Sequence, residues 1–88
     1  MQDDVLTASQ IRAARAVFGL TIRQLAVDTG IGLATLKRYE AAEGVPKSRK
    51  GHLKTLREFF ESAGIEFIGT PDDAPGIRIH RVRPDHAD

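Results

Sequence analysis

Residues 20–43, LTIRQLAVDTGIGLATLKRYEAAE, limit the folds open to this chain more than any other stretch. Thr21 can accept from the free N–H groups of a first helical turn, and Gln24 three residues on completes a capping box. Leu20 and Leu25 sit at hydrophobic-staple positions around that cap. Leu25 and Ala26 face inward, with Ala26 small where a second helix must come close. Gly30 ends the run, because a left-handed residue after a helix is cheap only for glycine. The next helix must begin almost at once. Ile31 and Leu36 form a second staple around Gly32, a tolerated but weaker cap than Ser or Asn. Leu36, Tyr39 and then Ala42 or Glu43 continue its inner stripe, while Leu33, Ala34, Lys37 and Arg38 occupy the other face. Paired amphipathic helices around a glycine also occur in unrelated small α proteins. The tight turn and the outward cations favour a helix-turn-helix.

The flanks supply the remaining elements. Thr7 and Gln10 make another capping box, with Leu6 and Ile11 as its staple, opening a helix over about 8–18. Its buried stripe is read as Ile11, Ala14, Val17 and Phe18, closed by Gly19. Arg12 and Arg15 lie off that stripe, either solvated or touching a phosphate. After residue 43, Gly44-Val45-Pro46 breaks the chain. A basic loop of Lys47, Ser48, Arg49 and Lys50 then enters a fourth helix over about 49–63, whose apolar face is Leu53, Leu56, Phe59, Phe60 and Ala63. Gly64 is its C′ residue, with Ile65 placed to touch Phe60 as in a Schellman motif.

The period then changes from helical to alternating. Residues 65–68 and 76–82 read as strands, and the stretch 70–76 between them is rich in turn residues. An isolated hairpin is barely stable in water. It must lie on the fourth helix or pair with the same element of a second subunit, and the second option is favoured because it also covers the edges. That choice makes Phe67, Ile68, Ile77 and Ile79 the dimerisation residues. The organisation expected is a helix-turn-helix domain over 6–64, a hairpin over 65–82, and flexible ends at 1–5 and 83–88.

With those residues in view, the chain resembles the Xre family of phage-repressor-like regulators. The resemblance rests on Thr21, Leu25-Ala26, Gly30-Ile31, Thr35-Leu36 and Glu40, supported by Ile11-Arg12-Ala13-Ala14-Arg15 before them. The tail residues Gly64-Ile65-Glu66-Phe67-Ile68 and Pro75-Gly76-Ile77-Arg78-Ile79 are similar to the ending of a compact bacterial subgroup. It covers about residues 6–81. It implies a mainly α fold: a four-helix lambda-repressor-like domain carrying a short C-terminal antiparallel β-hairpin. Two positions depart from the family. Ile22 stands where a backbone-contacting Gln is usual, and Gly32 where a Ser or Thr cap is usual.

Composition bears mainly on what the surface can bind. The 88 residues hold 13 Lys or Arg against 12 Asp or Glu, a net charge of +1, so the whole-chain balance is no nucleic-acid signature. Distribution is more informative: residues 23–57 carry eight basic side chains against three acidic ones. No cysteine is present, which excludes a disulfide framework and a thiolate metal site. His52, His80 and His86 lack metal-ligand spacing and read as surface imidazoles, so no metal or cofactor is expected. The sequence has no nucleophile elbow, phosphate-binding loop or zinc-protease motif, and catalytic residues are not expected either. Neither a signal peptide nor an apolar run of about 20 residues is present, which points to a cytoplasmic protein with no membrane partner.

The expected function is that of a homodimeric, sequence-specific DNA-binding transcriptional regulator, more a repressor than an activator. Leu33, Ala34, Thr35, Lys37 and Arg38 would read bases of double-stranded DNA in the major groove. Thr21, Arg23, Lys47 and Arg49 would hold its backbone. For Lys47 and Arg49 the bland alternative is a solubilising role. The rival for the whole chain is a protein-interaction module, such as an antitoxin or antiactivator. The apolar Leu33 and Ala34, the missing Gln at Ile22 and the near-neutral charge support that rival. DNA binding requires Lys37, Arg38, Lys47 and Arg49 on one exposed face, and a regulatory-protein partner requires a contiguous exposed apolar patch.

Overall fold

The computed structural model describes residues 5–49 and 51–80. Its elements run α1 (Ala8–Val17), α2 (Ile22–Thr29), α3 (Leu33–Ala41), α4 (His52–Ser62), β1 (Ile65–Thr70) and β2 (Asp73–Ile79). The outermost residues 1–4 and 83–88, expected to be loose, lie outside the described set.

The two polar caps form as the sequence requires. Thr7 and Thr21 each accept from the backbone N–H three residues on, and Gln10 and Gln24 reach back to the cap N–H groups. Gly30 ends α2 at φ +79°, its N–H bonded to the Ala26 carbonyl at 2.9 Å. Gly32 caps α3 with no side-chain bond. Only residues 30–32 separate α2 from α3.

The core gathers Leu6, Ile11, Ala14, Leu25, Ile31, Leu36, Tyr39, Leu53, Leu56, Phe60 and Ile65, all buried. It corrects the stripe expected on α1, because Val17 and Phe18 are partly exposed. Phe18 lies flat against Phe60, with centroids 6.3 Å apart. Gln10 takes an inward position instead, and its amide has work there. Nε2 donates to the carbonyls of Ile68 (3.1 Å) and Gly76 (2.9 Å), while Oε1 accepts from the Thr7 N–H. One amide thus clips both strands to the start of α1.

Helix α4 begins at His52, later than the expected 49, because Gly51 caps it in a left-handed conformation at φ +91° and no side chain assists. At its other end Gly64 donates to the Glu61 carbonyl at 3.1 Å.

The strands pair antiparallel with Ile65 opposite Ile79 and Phe67 opposite Ile77. They reach further into the expected turn than its Pro and Asp residues suggested, since a register shift at Gly69 lets Thr70 pair with Asp73. The hairpin lies on α1 and α4 of its own chain, the less favoured of the two placements. Phe67 and Ile77 pack against the core, and the Phe67 ring meets Phe60 edge-on at 6.3 Å. Arg57 of α4 stands over this ring, 5.3 Å from its centroid.

Candidate nucleic-acid interface

Helix α3 divides cleanly between buried and exposed positions. Leu36, Tyr39 and Glu40 are buried, Ala34, Lys37 and Arg38 are exposed, and Leu33 and Thr35 are half-buried. A helix with an aliphatic, an aromatic and a carboxylate all turned inward is held in one rotation about its axis.

The carboxylate is the decisive anchor. Arg15 of α1 donates from Nε to Glu40 Oε2 and from Nη2 to Oε1, both at 2.8 Å. Its remaining Nη1 donates to the Leu20 carbonyl at 2.8 Å, just before α2. Arg12 donates to the Glu40 main-chain carbonyl. One side chain therefore fixes α1, the entry to α2 and the last turn of α3 together. The hydrogen bonds to Glu40 push the Arg15 guanidinium above its ordinary value, against the opposing effect of burial. Arg15 is thus half-buried and engaged by Glu40, while Arg12 stays exposed and donates to the Glu40 carbonyl. The signal for this was present: Glu40 follows Leu36 by four residues, on the apolar stripe, where a carboxylate needs a cation.

A second polar cluster joins α3 to the basic loop. The Tyr39 hydroxyl accepts from the Arg49 N–H at 3.1 Å and lies 2.7 Å from His52 Nδ1. His52 is therefore a half-buried partner of Tyr39, not a surface imidazole. The Arg38 guanidinium stands over the Tyr39 ring, 5.9 Å from its centroid. Arg38, Tyr39, Ala42, Pro46 and Lys47 line one surface depression of about 320 Å³. Lys37, Arg38, Lys47 and Arg49 are all exposed, and two of the four, Arg38 and Lys47, share this depression. Thr21 and Arg23 are exposed at the start of α2, with the Thr21 oxygen engaged as acceptor by the Gln24 N–H at 3.0 Å.

Of the residues expected at a dimer contact, Phe67 and Ile77 are turned into the chain's own core and Ile68 is half-buried. Ile79 remains open, at 62% exposed. The outer face of the hairpin is polar, with Glu66 accepting from Arg78 (3.1 Å) and meeting His80 at 2.8 Å. The bond to His80, then the charge of Arg78, hold the Glu66 carboxyl below its usual range. His86 lies outside the described residues.

The larger apolar side chains open to solvent, Val17, Phe18, Val27, Val45 and Ile79, are spread over α1, α2, the loop after α3 and β2. A depression of about 340 Å³ on α2 is lined by Leu20, Arg23, Gln24, Val27 and Asp28. Among the described residues no helix is long and apolar enough to cross a membrane. No protein-family model, curated protein or solved structure matches this chain.

Proposed function

We propose that the chain is a homodimeric, sequence-specific DNA-binding transcriptional regulator, more a repressor than an activator, built as a lambda-repressor-like helix-turn-helix of the Xre type. One observation carries the reading. Helix α3 is anchored on one side through Leu36, Tyr39 and Glu40, leaves Ala34, Lys37 and Arg38 free, and shares a depression with the basic loop through Arg38 and Lys47. An anchored helix with free cations at its exposed face is what major-groove readout demands.

In this reading α3 enters the major groove. Arg38 and Lys37 donate to guanine O6 and N7, Ala34 and the exposed parts of Leu33 and Thr35 meet thymine methyls or phosphate, and Thr21, Arg23, Lys47 and Arg49 hold the backbone. Thr21 keeps its hydroxyl proton for this, because its cap role uses only the oxygen. A two-fold dimer implies an inverted repeat with half-sites about one helical turn apart or a multiple of it. Since Phe67 and Ile77 pack on the core, the dimer contact falls to Ile68, Ile79 and the strand edges.

The protein-interaction alternative is supported by the Leu20 and Val27 depression on α2, Val27 being 77% exposed. Substitutions separate the two. Arg38→Ala is expected to cost about 1–3 kcal/mol on the cognate duplex and to relax base preference at one position. Lys47→Ala is expected to weaken all duplexes alike and to lower the salt slope by about one. Unchanged affinity and preference in Arg38→Ala would remove its assigned role.

A further inference from the structure

We infer that Tyr39 is a positioning residue whose hydroxyl sets the basic loop of Lys47 and Arg49 against the recognition face of α3, with His52 as the acceptor that aims it. This rests on the DNA-binding reading above. The ring is 1% exposed and packs in the core, so the aromatic part alone satisfies the apolar demand of the site. The hydroxyl adds what a phenylalanine could not. It accepts the Arg49 N–H, a donor outside any helix or strand. In this assignment the hydroxyl gives its one proton to His52 Nδ1, 2.7 Å away, and accepts the Arg49 N–H on its oxygen. The imidazole then carries its proton on Nε2. The same ring lies under the Arg38 guanidinium. A single side chain thus holds a base-reading candidate by its face and a backbone-contacting loop by its edge.

The loop needs such a tie. Residues 46–49 lie outside helix and strand, and Gly51 caps α4 without side-chain help. Fixing Arg49 at its main chain leaves its guanidinium free for a phosphate while restricting where that guanidinium can reach. Held this way, Lys47 and Arg49 lose less freedom on binding.

Tyr39→Phe tests this, because it keeps the ring under Arg38 and in the core. In the free protein, the Arg49 amide is expected to lose protection from exchange. The nitrogen shifts of the His52 ring are expected to move from a pure Nε2–H tautomer toward a mixture. On DNA, the variant is expected to lose affinity by the same factor on cognate and scrambled duplexes. Its salt slope falls by about one for each phosphate that the loop no longer neutralises, and the ratio between the two duplexes holds. His52→Ala, which leaves the hydroxyl able to accept from Arg49, is expected to lower Arg49 amide protection and duplex affinity less far than Tyr39→Phe does. Unchanged Arg49 protection and His52 tautomer in Tyr39→Phe would overturn the inference. So would a loss confined to the cognate duplex at constant salt slope. A wild-type protein that binds no duplex overturns the functional reading and the role of Tyr39 in it, and the loop measurements in the free protein show that case apart from a failed tie.

Discussion

Replacing Glu40 with Ala isolates the contact that orients α3. The substitution deletes two 2.8 Å charge-assisted bonds to Arg15 and leaves that guanidinium with only the Leu20 carbonyl. Breaking a fully buried ion pair by removing one partner costs about 3–5 kcal/mol, mostly from the charge left behind. Here the Glu40 side chain is 5% exposed but Arg15 is 24% exposed, so water can take up part of the loss. A cost of about 2–3 kcal/mol follows, since Arg15 turns only partly outward. For a domain of this size that corresponds to a fall in Tm of about 10–20 °C. The assay is thermal and urea unfolding of Glu40→Ala, together with a cycle of Glu40→Leu, Arg15→Met and the double variant Arg15→Met/Glu40→Leu. The double variant is expected to recover most of the stability, since it removes the desolvation cost together with the pair. A loss below about 0.5 kcal/mol in Glu40→Ala, within the range of an exposed pair, would refute the reasoning. Additive single losses in the cycle would refute it as well.

Four further outcomes follow from other parts of the fold. Gln10→Ala leaves the carbonyls of Ile68 and Gly76 without their donor, so it is expected to cost about 1–3 kcal/mol, with hydrogen exchange rising first in the hairpin and not in α3. Gly69→Ala is expected to cost about 2 kcal/mol or more, because the new Cβ would lie 2.1 Å from the Ala74 carbonyl oxygen at φ +77°. Gly44→Ala, at φ +71° with nothing within 4 Å, is expected to cost only about 1–2 kcal/mol, and urea midpoints compare the pair. Glu66 is held below its usual range by His80 and Arg78, so its contribution is present above the ordinary carboxylate pKa and disappears as pH falls through its lowered value. Unfolding between about pH 5 and pH 2 is expected to show a shallower pH slope in Glu66→Gln than in the wild-type protein.

Local chemistry is legible in the sequence wherever a few neighbouring residues decide it. Both capping boxes, the glycine stop after α2 and the antiparallel hairpin depend on residues close in the chain or on a simple alternation. Pairings between distant polar residues are harder to see. Gln10 looks like a cap residue, and nothing local shows that its amide also reaches carbonyls at Ile68 and Gly76, 58 and 66 residues away. Arg15 looks like a surface cation because the partner that draws it in, Glu40, lies on another helix. His52 follows a basic loop and reads as solvated, whereas the Tyr39 hydroxyl meets its ring at 2.7 Å across the α3–α4 corner. Phe67 and Ile77 would suit a dimer contact as well as a core, and nothing local in the sequence shows that they pack on their own chain's core beside α1 and α4. The face of α3 is readable, since its exposed cations follow from helical spacing alone. Their grouping with the loop is not, because it depends on the Tyr39 hydroxyl.

The most direct test of the central claim is selection of bound sequences from random duplex DNA, with the enriched sequence retested across a salt series. The DNA-binding account requires an enriched inverted repeat, with half-sites about one helical turn or a multiple apart, bound far more tightly than random duplex at physiological salt. Weak binding that is blind to sequence and lost by physiological salt would contradict it, and would leave the Leu20 and Val27 face of α2 as the place to look for a protein partner.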